Sequence, residues 1–282
     1  MIQTICVAGA GTMGSGIALL CGQHGFTTIL FDVNADTLAR SQNSITAMLT
    51  ALVSKGKLSV EEQMQIEQRL TFTMDIRACV ADVIIEAIIE KAQAKIALFK
   101  DLVAMNADAC IFASNTSSIS ISLLQESVAV PGRFAGMHFF NPAPVMKLVE
   151  IVVAPQTSTD TALALQELCE ALGKTAVLCK DSPGFIVNRV ARHYYLEAMK
   201  LEASGVASIE VIDEIMETNG FKMGPFRLMD LIGMDVNLAV SQTIYEAFDK
   251  AERFQPAELQ QQKVKAGDLG KKTGKGFYTY TS

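Results

Sequence analysis

Residues 2–32, IQTICVAGAGTMGSGIALLCGQHGFTTILFD, contain two short apolar runs separated by a glycine-rich loop and a helical pattern. The first run, residues 2–8, predicts a buried strand, and residues 13–24 predict a helix that Gly25 ends. Residues 26–31 predict a second strand. This order of strand, loop, helix and strand indicates a parallel βαβ unit, the repeating unit of an open α/β sheet with helices on both faces.

The loop of this unit has the glycine spacing of a dinucleotide-binding turn. Gly9 permits a tight turn, Gly11 lets the backbone approach a pyrophosphate, and Gly14 lets the helix pack closely on the strand. Asp32 ends the second strand, where an acid accepts hydrogen bonds from ribose hydroxyls and repels a 2′-phosphate. The stretch therefore predicts a Rossmann-type domain that binds NAD in preference to NADP. The alternative is a glycine-rich turn that only serves packing.

The composition bounds the class of protein. The chain has 282 residues, half of them hydrophobic and 19% charged, with a net charge of −6, so we expect a globular protein that does not bind nucleic acid. Six cysteines without a CxxC pair and three scattered histidines predict reduced thiols and no metal site. The apolar N-terminus has no Lys or Arg before Arg40, so neither an export signal nor a membrane helix is expected. These features favour a cytoplasmic protein.

The pattern of strands and helices predicts two domains. Residues 1–183 continue the alternation of strand and helix and predict a doubly wound, mostly parallel sheet. Residues 184–282 show no convincing strand and predict a smaller all-helical domain. Its helices are expected at about 184–204, 208–219, 230–252 and 256–266. Because so short a domain exposes many apolar helix faces, we expect it to form a homodimer.

Residues 136–150, GMHFFNPAPVMKLVE, combine two apolar runs with a proline-containing turn. If the runs are strands that fold back about Pro144, His138 faces Glu150. A buried carboxylate needs a partner, and a histidine oriented by a carboxylate is a general base with a fixed tautomer. The alternative is a structural histidine and an unrelated surface glutamate.

Two polar features have both a structural and a functional interpretation. The segment Ser114–Ser118 follows a predicted strand at 109–113, where an open parallel sheet binds ligands; alternatively, Ser117 or Ser118 is the N-cap of a helical turn near Ile119. Lys55 ends the predicted helix 34–55, where a cation suits the helix dipole, or it binds a phosphorylated substrate. The segment 59–69 is interpreted only as polar and charged.

Six motifs occur along essentially the whole chain, in order: GAGTMGSGIA, SNTSSI, GMHFFNPAPVMKLVE, DSPGFIVNR, MGPFRLMDLIGMD and GKKTGKGFY. With them the chain resembles the 3-hydroxyacyl-CoA dehydrogenase family, in its short bacterial 3-hydroxybutyryl-CoA dehydrogenase form. The resemblance implies oxidation of (S)-3-hydroxyacyl-CoA to 3-oxoacyl-CoA with NAD⁺ as the cofactor. Two alternatives remain at this point: a dehydrogenase of a free hydroxy acid or sugar acid, and a non-catalytic NAD-binding protein.

The resemblance also implies roles for individual residues. His138 would be the catalytic base and Glu150 its orienting partner, and Ser117 and Asn188 would hydrogen-bond the C3 oxygen of the substrate. Asn141 would help to build the same pocket, and the C-terminal domain would form one wall of the substrate cleft. The implied substrate contact on the CoA side is Lys55. The implied cofactor contacts are Gly9, Gly11, Thr12, Met13, Gly14, Asp32, Glu90, Lys95, Asn115 and Ser117.

For three of these residues a structural role is the alternative. Glu90 follows a strand and would only start the next helix. Lys95 would form a salt bridge on that helix. Asn188 would face solvent.

Overall fold

The structure, a computed structural model, describes residues 2–280. It divides into two compact units, with the boundary between Ser182 and Pro183. Met1, Thr281 and Ser282, which the predicted domain ranges include, lie outside the described residues. No helix among residues 2–280 is both long and apolar enough to cross a bilayer.

The described part of the N-terminal unit contains one eight-stranded sheet. Its strands are β1 Thr4–Ala8, β2 Thr27–Phe31, β3 Leu70–Thr73, β4 Val83–Glu86, β5 Ile111–Ser114, β6 Phe134–Phe139, β7 Leu148–Val153 and β8 Thr175–Lys180. The spatial order is β3-β2-β1-β4-β5-β6-β7-β8, and only the β6–β7 pair is antiparallel. The predicted doubly wound, mostly parallel sheet is therefore confirmed. The order reverses direction between β1 and β4, which is where such sheets bind ligands.

Helices pack around this sheet. They are α1 Thr12–Gln23, α2 Ala35–Ser54, α3 Val60–Gln68, α4 Ala92–Met105, α5 Ile121–Gln125 and α6 Thr159–Ala171. The core joins β1, α1 and β4 through fully buried side chains such as Ile5, Val7, Ile17, Val83 and Ile85. Because β1 and β4 are covered on both faces, their sequences are continuous apolar runs rather than alternating ones.

The structure adds one helix to the sequence interpretation of this unit and contradicts the alternative N-cap at Ser117 or Ser118. The segment 59–69 contains α3, which a capping box begins: Ser59 Oγ accepts from Glu62 N at 3.1 Å, and Glu62 Oε2 accepts from Ser59 N at 2.8 Å. The N-cap of α5 is Ser120, whose Oγ accepts from Leu123 N at 3.2 Å, rather than Ser117 or Ser118. Those two residues donate their N–H groups to Glu90 instead.

The described part of the C-terminal unit is helical, with its own core around Tyr195, Met199, Phe226 and Met229. Its helices are α7 Val187–Ala203, α8 Ile209–Thr218, α9 Pro225–Ile232, α10 Met234–Ala247 and α11 Glu258–Ala266. The predicted smaller all-helical domain is confirmed.

Two helix boundaries in this unit differ from the prediction. The helix expected from residue 184 begins at Val187, because Gly184 and Phe185 have positive φ values of 74° and 48°, which an α-helix excludes. The helix expected at 230–252 is interrupted at Gly233, whose φ of 100° separates α9 from α10.

The C-terminal tail is held by a buried carboxylate. Asp230 is 1% exposed and accepts hydrogen bonds from Phe277 N, Tyr278 N and Tyr280 Oη, each at 2.9 Å. Two lysines of the tail form ion pairs, Lys272 with Asp235 at 2.5 Å and Lys275 with Asp268 at 3.2 Å. The tail residues Phe277, Tyr278 and Tyr280 are thus all held by one side chain of α9.

Candidate active site

His138 and Glu150 form a buried pair on adjacent strands. The antiparallel register of β6 and β7 places them directly opposite each other, which confirms the predicted pairing. His138 Nδ1 lies 2.7 Å from Glu150 Oε2, and the two residues are 5% and 1% exposed. Because an ionised carboxylate only accepts, Nδ1–H is the donor, which sets the tautomer of the imidazole.

The surroundings of this pair are apolar. Every residue of β6 is buried, and the ring of Phe140 lies 4.6 Å from the imidazole, centroid to centroid. Burying a carboxylate costs on the order of several kcal/mol of hydration free energy. A charged or hydrogen-bonding partner must offset this cost. His138 therefore supplies the partner that the buried Glu150 carboxylate needs, and the two side chains together can accept and donate a proton.

The polar segment after β5 lies beside this pair. Asn115 Oδ1 accepts from the backbone N–H of Phe139, the residue after His138, at 2.8 Å. Glu90 Oε1 accepts from Thr116 Oγ1 at 2.5 Å and from the N–H groups of Ser117 and Ser118 at 3.0 and 3.1 Å. The carboxylate of Glu90 thus organises the segment that carries Ser117, and its role exceeds starting α4.

Behind Glu90 lies a buried ammonium between two carboxylates. Lys95 Nζ contacts Glu86 Oε1 at 2.5 Å and Glu90 Oε2 at 3.1 Å. Glu86 also accepts from Ser114 Oγ at 2.6 Å and from Ile88 N at 2.7 Å. Lys95 is 1% exposed and Glu86 fully buried. The salt bridge considered as the structural alternative for Lys95 is present, and it joins the carboxyl end of β4 to the Ser117 segment.

The same contacts explain the pKa values of the two acids. Burial raises the pKa of Glu86, against the opposing effects of the Lys95 ammonium and the hydrogen bond from Ser114. Burial also acts to raise the pKa of Glu90, but Lys95 and the hydrogen bond from Thr116 hold it below its usual value. The sequence analysis did not identify Glu86 as a buried partner of Lys95. A charged residue at the end of the apolar strand β4 was the sequence feature that indicated it.

Replacing Lys95 with Met is expected to lower the free energy of unfolding by about 3–5 kcal/mol, because it leaves the Glu86 carboxylate buried without its cation. Equilibrium unfolding in urea measures this change. Lys100→Met is the matched control, since Lys100 lies on the same helix with an exposed side chain. Equal stability of the two variants would show that the Lys95–Glu86 contact contributes nothing.

A cleft of about 700 Å³, here called the Asp32 cleft, lies at the glycine loop. Its lining includes Gly9, Gly11, Thr12, Met13, Asp32 and Ile88. Asp32 Oδ2 accepts from Ala10 N at 2.8 Å, so the acid that ends β2 also holds the loop. No side chain caps the N-terminus of α1, which leaves its N–H groups directed at the loop. These features fit the adenosine and pyrophosphate of NAD.

Steric contacts explain the glycine spacing. Gly9 has a φ of 110°, and a Cβ there would lie 2.6 Å from the carbonyl oxygen of Ala87. A Cβ on Gly14 would overlap the carbonyl oxygen of Gly9. At Gly11 no atom beyond the glycine and its two chain neighbours lies within 4 Å of the Cβ position, so the backbone is open to a ligand. Gly9 and Gly14 shape the turn, and Gly11 exposes it.

Replacing Asp32 with Ala is expected to weaken NADH binding by about 10- to 100-fold, because a charged acceptor is worth about 1.5–3 kcal/mol. The preference for NADH over NADPH should narrow, since the repulsion of a 2′-phosphate is lost. Titration of NADH fluorescence measures both constants. Asp36→Ala, an exposed acid in the first turn of α2, is the control. An unchanged preference would remove Asp32 from cofactor selection.

A second cleft of about 690 Å³, here called the Lys55 cleft, lies along α2. Its lining includes Lys55, Arg40, Gly16, Asn141 and residues 142–145. Lys55 is also the C-cap residue of α2, so its two interpretations are compatible. The cleft brings together two predicted substrate contacts, Lys55 and Asn141.

Asn188 belongs to the C-terminal unit, at the second position of α7, where it is partly exposed. Its backbone carbonyl accepts from Arg192 Nε at 3.2 Å. The role of its side chain stays a prediction, as does the expected substrate cleft.

Two models of one family match almost the whole chain. The 3-hydroxyacyl-CoA dehydrogenase NAD binding domain matches residues 4–182, and the C-terminal domain of the same family matches residues 184–280. The predicted NAD-binding domain is thereby confirmed.

Relatives of this family cover the chain from end to end. It is 45% identical to the 3-hydroxyadipyl-CoA dehydrogenase of Escherichia coli K12, over 99% of this chain but only 59% of that protein. It is 40% identical to the mitochondrial hydroxyacyl-coenzyme A dehydrogenase of Rattus norvegicus, over 99% of this chain and 92% of the relative. The crystal structure of (S)-3-hydroxybutyryl-CoA dehydrogenase from Ralstonia eutropha superposes with a TM-score of 0.94 at 37% identity, over 100% of both chains. The chain therefore belongs to the 3-hydroxyacyl-CoA dehydrogenase family.

Proposed function

We propose that this protein interconverts (S)-3-hydroxyacyl-CoA and 3-oxoacyl-CoA with NAD as the cofactor, and that 3-hydroxybutyryl-CoA is a substrate. The observation that carries the proposal is the buried His138–Glu150 pair, with 2.7 Å between Nδ1 and Oε2, in a chain of this family. The Asn115 contact to Phe139 N supports it, because it ties a polar segment to the backbone beside the imidazole.

Oxidation of a secondary alcohol requires a base for the hydroxyl proton, and His138 is the proposed base. NAD supplies the hydride acceptor when bound. The imidazole takes the hydroxyl proton on Nε2 and becomes an imidazolium, whose charge the Glu150 carboxylate stabilises. In the reverse direction the imidazolium returns the proton to the carbonyl oxygen.

A second group is needed to stabilise charge on the C3 oxygen during the reaction. We propose the Ser117 hydroxyl for this role, supported by the four hydrogen bonds that fix the segment 116–118 on Glu90. Asn188 is proposed as the second donor on the family resemblance alone. Asn141 is proposed as a further pocket residue.

The cofactor contacts are proposed in two groups. The first is the glycine loop with Thr12, Met13 and Asp32, supported by the shape and lining of the Asp32 cleft. The second comprises Glu90, Lys95, Asn115 and Ser117, supported by the contacts of Glu90 with Lys95 and Ser117 N and by the hydrogen bond from Phe139 N to Asn115. Lys95 acts in this group while its ammonium stays between Glu86 and Glu90.

The Lys55 cleft is proposed to hold the CoA portion of the substrate. The cations Lys55 and Arg40 line a largely apolar groove, which suits phosphates attached to an organic body. Residues 141–145 line the cleft and lie shortly after the strand of His138, which ends at Phe139.

Oxidation of (S)-3-hydroxybutyryl-CoA with NAD⁺, followed by NADH absorbance, tests the proposal. We expect turnover of the S enantiomer and none of the R enantiomer, which is the matched control. Turnover of free (S)-3-hydroxybutyrate at the same kcat/KM would instead support a dehydrogenase that does not need CoA. No turnover of either thioester, by protein that still binds NADH, would overturn the proposal.

The oligomeric state and the cellular compartment are proposed on other observations. We propose a cytoplasmic homodimer that acts in fatty acid metabolism and associates through the C-terminal unit. Apolar side chains exposed on that unit support the dimer, among them Val206, Ile215, Phe221 and Leu231. The six free cysteines support a reducing compartment. Sedimentation velocity should give twice the mass of the chain, and a monomer at all concentrations would contradict the dimer.

A further inference from the structure

Lys174 is a buried lysine that the proposed mechanism does not use. It lies between the end of α6 and the start of β8, with 7% of its surface exposed. Its ammonium donates to the carbonyl oxygens of Ala143 at 2.7 Å, Met146 at 2.9 Å and Pro144 at 3.3 Å. An ammonium has three protons, and three carbonyls of a single loop accept them.

That loop, residues 141–146, joins the strand of His138 to the strand of Glu150. Inside it, the carbonyl oxygen of Pro142 accepts from Val145 N and Met146 N, each at 3.0 Å. Its other side packs on α1, where a Cβ on Gly16 would lie 3.2 Å from Pro144 Cδ. Lys174 therefore reaches the loop from α6 and β8 and holds it against α1.

The loop forms one wall of the Lys55 cleft. Residues 141–145 line the cleft together with Arg40 and Lys55 of the α2 region. The position of this wall decides the width of the groove opposite the two cations. Three carbonyl contacts from one cation fix that position more firmly than the turn inside the loop does, because a charged donor strengthens each hydrogen bond.

We propose that Lys174 is a positioning residue for the acyl-CoA substrate, which sets the wall of the Lys55 cleft that receives the CoA portion. The inference rests on the proposed function, because that function places CoA in this cleft. Lys174 does not touch the reacting atoms. Its loss widens the groove and weakens the binding of substrates that carry the nucleotide of CoA.

A comparison of two substrates tests this role. Acetoacetyl-CoA carries the nucleotide, whereas acetoacetyl-N-acetylcysteamine presents the same thioester without it. For Lys174→Met we expect the KM for acetoacetyl-CoA to rise about tenfold more than the KM for the short thioester, because only the former needs the positioned wall. Lys147→Met is the matched control, since Lys147 follows the loop but is exposed. Its KM ratio should equal that of the wild type.

The outcomes separate the inference from the proposed function. If Lys174→Met changed the KM values for the two thioesters equally, or changed neither, the role of Lys174 would be overturned. The proposed function would still stand, provided that the wild-type enzyme turns over acetoacetyl-CoA. A wild type inactive on acetoacetyl-CoA would overturn the proposed function itself.

A wild-type measurement covers the case in which Lys174→Met does not fold. Hydrogen exchange at the amides of Val145 and Met146 should slow on addition of CoA. Unchanged exchange at saturating CoA would overturn the assignment of the loop to the CoA groove.

Discussion

Replacing His138 with Gln is expected to lower kcat for the reduction of acetoacetyl-CoA by about 10²–10⁴-fold, the usual contribution of a positioned general acid. Gln has a similar reach and can still donate to Glu150, but its amide cannot carry the proton that the carbonyl oxygen needs. The binding of NADH should stay within about threefold, because the change removes a step rather than a cofactor contact. Steady-state kinetics and NADH fluorescence titration measure the two quantities.

The control for this variant is His24→Gln. His24 lies in the same unit, and its Nδ1 contacts the carbonyl oxygen of Leu20 at 2.9 Å at the end of α1. This variant should retain wild-type kcat. If His138→Gln also retained it, the imidazole would have no part in proton transfer, and the buried pair would be structural.

The second large effect is expected for Glu150→Gln, with a fall in kcat of about 10²–10⁴-fold. The substitution keeps the size of the side chain but removes the charge that stabilises the imidazolium. Its amide group can also donate to Nδ1 of His138, which would place the ring proton on Nε2 and remove the proton-accepting site. Steady-state kinetics at saturating NADH and thioester measure the fall.

Glu170→Gln, an exposed glutamate at the end of α6, is the control for charge removal. The combined variant His138→Gln/Glu150→Gln gives a further check. Groups that act as a unit are strongly non-additive, so the double variant should be about as slow as His138→Gln alone. Independent, multiplying effects of the two substitutions would show that Glu150 acts elsewhere than through the imidazole.

The parts of the fold that could be predicted depend on local patterns. The strand, glycine loop, helix and strand of residues 2–32 are adjacent in sequence, so their order and the glycine spacing identify the unit without knowledge of distant contacts. The pairing of His138 with Glu150 was predictable because two apolar runs flank a proline-containing turn, so the register follows from the strand period. The predicted preference for NAD rests on Asp32, which directly follows β2.

The missed features depend on contacts between distant residues. In the sequence, Glu86 is one polar residue in an apolar strand. Its contacts with Lys95 and with Ser114 on the neighbouring strand appear only in the folded structure. Lys174 reads as a surface lysine until the loop about 30 residues earlier in sequence folds onto it. The break at Gly233 was hidden because the apolar pattern continues across it, and only its positive φ separates the two helices.

The most direct test of the proposed activity is the loss of NADH absorbance with acetoacetyl-CoA, beside free acetoacetate and an NADPH control. We predict rapid oxidation of NADH with the thioester, little with free acetoacetate, and a much slower reaction with NADPH. That pattern would establish the cofactor, the substrate class and the need for CoA in one experiment. Equal rates with the free acid, or no reaction by protein that binds NADH, would contradict the proposed function.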